Sequence, residues 1–111
     1  MESDIKDWKL KLRYGQLQTP YSHYTVIADG IAEAVPEVFV CPPGRTFIGM
    51  KVWADSAGEA ENMIRVIGRD IGFVVTGRIY VYASEPLNPP QENPGAYDIT
   101  FTPNIPEPEQ Q

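Results

Sequence analysis

The sequence predicts an α+β fold: a single mainly antiparallel sheet of about five strands, with one helix packed on one face, in the chain order β-β-β-α-β-β. Three observations lead there. Several short runs alternate apolar and polar residues at period two, the mark of half-buried strands. Only residues 57–71 repeat apolar residues at steps of three and four under a clear capping signal. Proline and glycine punctuate the chain between these runs.

Residues 8–14, "WKLKLRY", read as the first strand. Trp8, Leu10, Leu12 and Tyr14 share one parity, and Lys9, Lys11 and Arg13 share the other. Three cations on one face could grip a phosphate, but in an acidic chain a solvated face that discourages edge-to-edge pairing is the simpler reading. After a turn at Thr19-Pro20, residues 24–28 are β-rich. Asp29-Gly30 signals a type I′ hairpin leading into a second short strand, the alternative being one long strand with a bulge at Gly30. "VFVC" and "TFIGMKVW" then read as strands joined through Pro42-Pro43-Gly44, where proline sets φ and glycine accepts positive φ.

The helix has independent support. Ser56 and Glu59 make a capping box, and Ala60, Met63, Ile64, Ile67 and Ile71 form one apolar stripe with Ile64 and Ile67 in mid-core. Glu61 and Arg65 can pair across one turn, and Gly72 is a natural stop. The following strand runs from Phe73 to Ala83, with Gly77 marking a bulge or a close approach. Residues 85–95 are proline-rich and polar, and extended. A last strand at residues 96–103 should point Tyr97, Ile99 and Phe101 inward. Residues 1–103 thus form one domain, and the tail 104–111, "NIPEPEQQ", is too polar to pack and is expected to be disordered.

The chain has 111 residues, 42% apolar and 22% charged, enough for one modest core. Its net charge of −6 argues against nucleic-acid binding, which needs a basic surface. No apolar run approaches a membrane span, and the N-terminal residues lack the apolar core of a signal peptide. A lone cysteine suits a reducing compartment, so a cytoplasmic location is expected.

That cysteine, Cys41, and the lone histidine, His23, invite a nucleophile–base reading. Nothing in the sequence supplies an orienting group or an oxyanion hole, and Cys41 precedes a proline-glycine turn rather than opening a helix. One Cys and one His cannot build a Cys/His zinc site, there is no calcium loop or phosphate-binding glycine motif, and scattered acids such as Asp29 with Glu33 form no distinctive pair. No catalytic, metal or cofactor residues are assigned, and a non-enzymatic protein is expected.

Aromatic residues reach 11% and fit either a core or an interface. The candidate interaction surface is the sheet face carrying Lys9, Lys11, Arg13, Arg78, Tyr80 and Tyr82. The expectation is a binding protein of inhibitor, immunity-like or adaptor type, a homodimer, with a more basic protein as a further partner. The competing expectation is a small-molecule or minor enzyme domain with a pocket between helix and sheet. For the uncovered face, the competing cover is the proline-rich segment 85–95.

Overall fold

A computed structural model describes residues 2–41 and 43–103, with side chains from Trp8 onward. The elements are α1 (Glu2–Arg13), β1 (Ser22–Ala32), a 3-10 turn (Glu37–Phe39), β2 (Gly44–Ala54), α2 (Ala57–Asp70), β3 (Phe73–Ala83) and β4 (Gly95–Pro103). The strands form one four-stranded sheet in the order β3-β1-β2-β4, every neighbouring pair antiparallel. The α+β class and the packed helix are as expected. The chain order is α-β-β-α-β-β, with four strands rather than about five.

Three expectations fail for identifiable reasons. Residues 8–14 belong to α1, not to a strand. Their alternation fits period two, yet Trp8 and Leu12 are also four apart and are both half-buried, while Leu10, Lys11 and Arg13 are exposed. Basic residues in the last turn favour the helix, and Gly15 ends it at φ 77°. Gln16 N–H to the Lys11 carbonyl at 2.7 Å and Gly15 N–H to the Leu12 carbonyl at 3.3 Å make a Schellman stop. Second, Asp29-Gly30 is not a hairpin: β1 runs through it, paired with β2 from Ser22 to Ala32, with the register toward β3 slipping between Ala28 and Gly30, which is the alternative of one long strand with a bulge. Third, where "VFVC" is expected as a strand, Glu37–Phe39 is the 3-10 turn and Val40 caps it. The Phe39 and Val40 N–H groups turn back to the Pro36 and Glu37 carbonyls at 3.0 and 2.9 Å, so they are spent within the turn rather than on a neighbouring strand. Val38 and Val40 point out at 80% and 83% exposure, and Phe39 turns in against Phe101 at 5.6 Å. Of the turn expected at Pro42-Pro43-Gly44, Pro42 lies outside the described residues, while Gly44 opens β2 at φ 118°. The tail 104–111 also lies outside them.

The core lies between α2 and one sheet face: Val26, Ala28 and Ala32 of β1, Ile48, Met50, Val52 and Ala54 of β2, Phe73 of β3, and Ala60 and Ile64 of α2. Met63, Ile67 and Ile71 pack at its flank, so Ile64 rather than Ile67 is the centre of the stripe. Ser56 Oγ accepts from the Glu59 N–H at 3.1 Å, and Glu59 Oε1 from the Asp55 N–H at 2.6 Å, a capping box displaced by one residue on its return bond. The inner face of β1 is unusually small, with Ala28, Gly30 and Ala32 in succession. That leaves space for the Phe73 ring to lie over Gly30 and to reach Phe101, its centroid 6.0 Å away, from the opposite edge of the sheet.

Because β1 is antiparallel to both neighbours, β2 and β3 are parallel, and α2 is the crossover joining them over β1. β3 and β4 occupy opposite edges, so residues 84–94 must cross the whole end of the sheet. They do so at the end where His23 faces Trp53. The connection carrying Cys41 lies at the other end, beyond the Ala32–Gly44 pair.

Candidate interaction face and its latched end

The sheet face turned away from α2 is built by parity. On β1 it takes His23, Thr25, Ile27, Asp29 and Ile31, the partners of Trp53, Lys51, Gly49, Phe47 and Arg45 on β2. β3 adds Val74, Tyr80 and Tyr82, exposed at 36%, 47% and 50%. Ile27, Ile31 and Phe47 are half-buried. β4 supplies Tyr97, opposite Lys51, and Thr100, opposite Gly49.

Tyr97 departs from the inward orientation expected of it. Asp98 takes a left-handed conformation, φ 58°, and the β2–β4 register slips between Gly49 and Lys51. One such bulge reverses the parity before it, so Tyr97 joins the outer face while Ile99 and Phe101 stay inside. Aspartate tolerates this conformation better than most residues, which is the only trace the bulge leaves in the sequence. Asp98 also accepts a charged hydrogen bond from Lys51 Nζ at 2.9 Å, and this bond holds the Lys51 ammonium pKa above its ordinary value.

Of the six residues expected to form one interaction surface, the structure brings only half together. Arg78, Tyr80 and Tyr82 are exposed on edge strand β3. Lys9, Lys11 and Arg13 lie on α1, with Lys9 Nζ 5.7 Å from the Trp8 ring centroid, so they are not a stripe of the same sheet face. What sequence reasoning missed is the cluster at the crossing end. Trp53 Nε1 donates to the Asn88 carbonyl at 2.9 Å, and the Tyr21 hydroxyl donates to the Glu92 carbonyl at 3.0 Å. The Tyr97 hydroxyl accepts from the Leu87 and Asn88 N–H groups at 2.9 and 3.2 Å. His23 is 6% exposed beneath this crossing, its ring edge-on to Trp53 at 5.0 Å. Burial pulls the imidazole pKa below 6.5, Lys51 acts the same way, and the Ser84 carbonyl and Glu85 act the other way.

These contacts dispose of the thiol–imidazole pair. The run of β1 from His23 to Ala32 separates the two residues, roughly 30 Å at the rise of a strand. His23 has both ring nitrogens engaged, and Cys41 is half-buried against the core as a small apolar residue. Cys41→Ala is therefore expected to change stability by no more than about 1 kcal/mol in urea unfolding. A loss of several kcal/mol would assign it a role that its half-exposed position does not explain.

A cavity of about 280 Å³ lies under the crossing segment, lined by Trp53, Asn88, Gln91, Glu92 and Tyr97 among others, and not between helix and sheet. At the helix–sheet boundary, the opening beside Arg65, Arg69 and Phe73 holds about 40 Å³, little more than one water. Among the described residues, no buried side-chain nitrogen or oxygen lacks a hydrogen-bond partner, and no three His, Cys, Asp or Glu side chains gather where they could hold a metal ion. No helix among those residues is long and apolar enough to cross a membrane. Comparison with protein-family models, with curated proteins and with solved structures finds no match to this chain.

Proposed function

We propose that this chain is a non-enzymatic interaction protein that self-associates through the sheet face opposite α2. The observation that carries the reading is that face itself. Ile27, Ile31, Phe47, Val74, Tyr80 and Tyr82 form an apolar and aromatic surface between two sheet edges, and soluble proteins bury such surfaces against a partner. Residues 84–94 cross only the His23–Trp53 end and leave Tyr80 and Tyr82 half exposed, so the chain's own proline-rich segment is not the cover.

Charge selects a second copy over a basic partner at this face. The chain as a whole carries −6, yet the face holds Arg45, Lys51 and Arg78 against Asp29 and Asp98. A basic protein meets cations here, whereas a second copy brings a face of mixed charge rather than the chain's overall −6. Two-fold pairing is the commonest way to close such a contact. A more basic partner, in an inhibitor, immunity-like or adaptor role, would use the acidic remainder of the surface. A cytoplasmic setting accords with a single cysteine outside any disulfide. The small-molecule reading loses ground, because the space between α2 and the sheet is filled by apolar side chains.

Light scattering coupled to size exclusion tests this. At tens of micromolar, the wild-type chain is expected at twice its 12.4 kDa. Tyr80→Glu, which places a charge on the face without touching the core, is expected to return the monomer mass with an unchanged circular dichroism spectrum. A monomeric wild type overturns the proposal, as does a Tyr80→Glu variant that stays dimeric.

A further inference from the structure

We propose that His23 is a proton-operated latch, which holds residues 84–88, the first part of the segment crossing the end of the sheet, and loosens them on acidification. The Tyr97 hydroxyl oxygen already accepts from two backbone N–H groups, Leu87 at 2.9 Å and Asn88 at 3.2 Å. Its own proton is then left for the contact with His23 Nε2 at 2.6 Å, so Nε2 is the acceptor. The imidazole proton must therefore sit on Nδ1, where the Ser84 carbonyl accepts at 3.1 Å and Ser84 Oγ stands at 3.0 Å. Ser84 Oγ in turn accepts from the Thr25 hydroxyl at 2.8 Å.

This chain of donors works only with a neutral ring. A proton on Nε2 turns that nitrogen into a donor aimed at an oxygen that already holds two donors, with the Tyr97 proton lying in between. Tyr97 must then rotate its proton away and give up at least one backbone N–H of the crossing segment. The freed N–H, at an exposed position, passes to water, and the stretch from Ser84 to Asn88 loses a tie to Tyr97 and loosens. The elements packed around the ring add little to hold the cation: Lys51 on β2 opposes it more than Glu85 on the segment favours it, and Asp98 on β4 is engaged by Lys51.

The sign follows from burial. The folded ring binds its proton less readily than the unfolded chain does, so the stabilisation by the latch is full above pH 6.5 and declines as pH falls from there to the folded value. The latch needs no partner, so it does not depend on self-association, and His23 and Tyr97 lie at one end of the same sheet face.

The test is a titration of the full ¹⁵N-labelled chain by NMR, from about pH 7.5 to about pH 4.5, a window that spans the ordinary imidazole range. The Leu87 and Asn88 amides are expected to shift with the His23 ring at one common midpoint below 6.5. After correction for intrinsic rates, exchange at these amides should quicken about tenfold or more, while Val26 and Ile48 stay protected. Tyr97→Phe should give fast exchange at both amides at every pH. His23→Gln should abolish the common midpoint at both amides. The proposal is overturned if His23 titrates while both amides hold still, or if its midpoint lies at or above 6.5.

Discussion

Phe73→Ala is expected to lose roughly 3–5 kcal/mol in urea unfolding, the range for deleting a fully buried phenylalanine. Phe73 has no exposed surface and is the largest wholly buried side chain among the described residues. Its ring spans the small face of β1, touches the position a Gly30 side chain would occupy, meets Phe101 at 6.0 Å and lies under Gly68 of α2. Four elements therefore share one ring, and none can move into the void without leaving another. Whole domains of this size are stable by only about 5–15 kcal/mol, so the variant stands near its unfolding threshold at 37 °C. A melting temperature lowered by more than about 10 °C is the corresponding thermal result. Phe73→Leu keeps part of the volume and should lose distinctly less. If the alanine variant loses under about 1 kcal/mol, the core does not close on this residue.

α2 was legible in the sequence because two unrelated signals agreed on it: a cap at Ser56 and a stripe through Ile64. The inner face of β3 was legible because Phe73, Val75, Ile79 and Val81 share one parity, whereas on β2 the apolar Phe47 and Trp53 alternate with Ile48, Met50 and Val52 and leave the inner side open. Residues 8–14 were not, because over so short a run Trp8 and Leu12 satisfy either period, and charge at the helix ends decides for α1. The outer face was half legible. Arg78, Tyr80 and Tyr82 follow from parity on β3, whereas the place of Tyr97 depends on a single left-handed residue at Asp98. The latch could not be read at all. It depends on β3 and β4 lying at opposite edges, which forces residues 84–94 over His23, and strand order is a property of the whole sheet rather than of any segment.

Gly30→Ala is expected to cost about 3 kcal/mol or more, at or above the upper end of the usual range for overpacking. The sequence suggests a turn glycine at this position, but Gly30 lies inside β1 and is required for closeness. An added Cβ would collide with the carbonyl oxygen of Val74 and would come within 2.7 Å of the Phe73 ring. A flexible side chain could yield, but a carbonyl in the β1–β3 ladder cannot do so without parting the strands. The register already slips beside it, between Ala28 and Gly30, where the β3 residues around Gly77 fold over Asp29. A bulge and a close approach thus occupy adjacent positions, and strain at one has no slack in the other. Gly58→Ala supplies the contrast. Gly58 sits exposed in the first turn of α2, with Ser56 Oγ at an ordinary 3.8 Å, so alanine there should stabilise by about 0.5–1 kcal/mol through helix propensity. Combining Gly30→Ala with Phe73→Leu should recover only part of the loss, since trimming the ring leaves the Val74 carbonyl in place. Full recovery would mean that the ring alone crowds Gly30, and a neutral Gly30→Ala would mean that β1 and β3 do not approach as closely as their pairing requires.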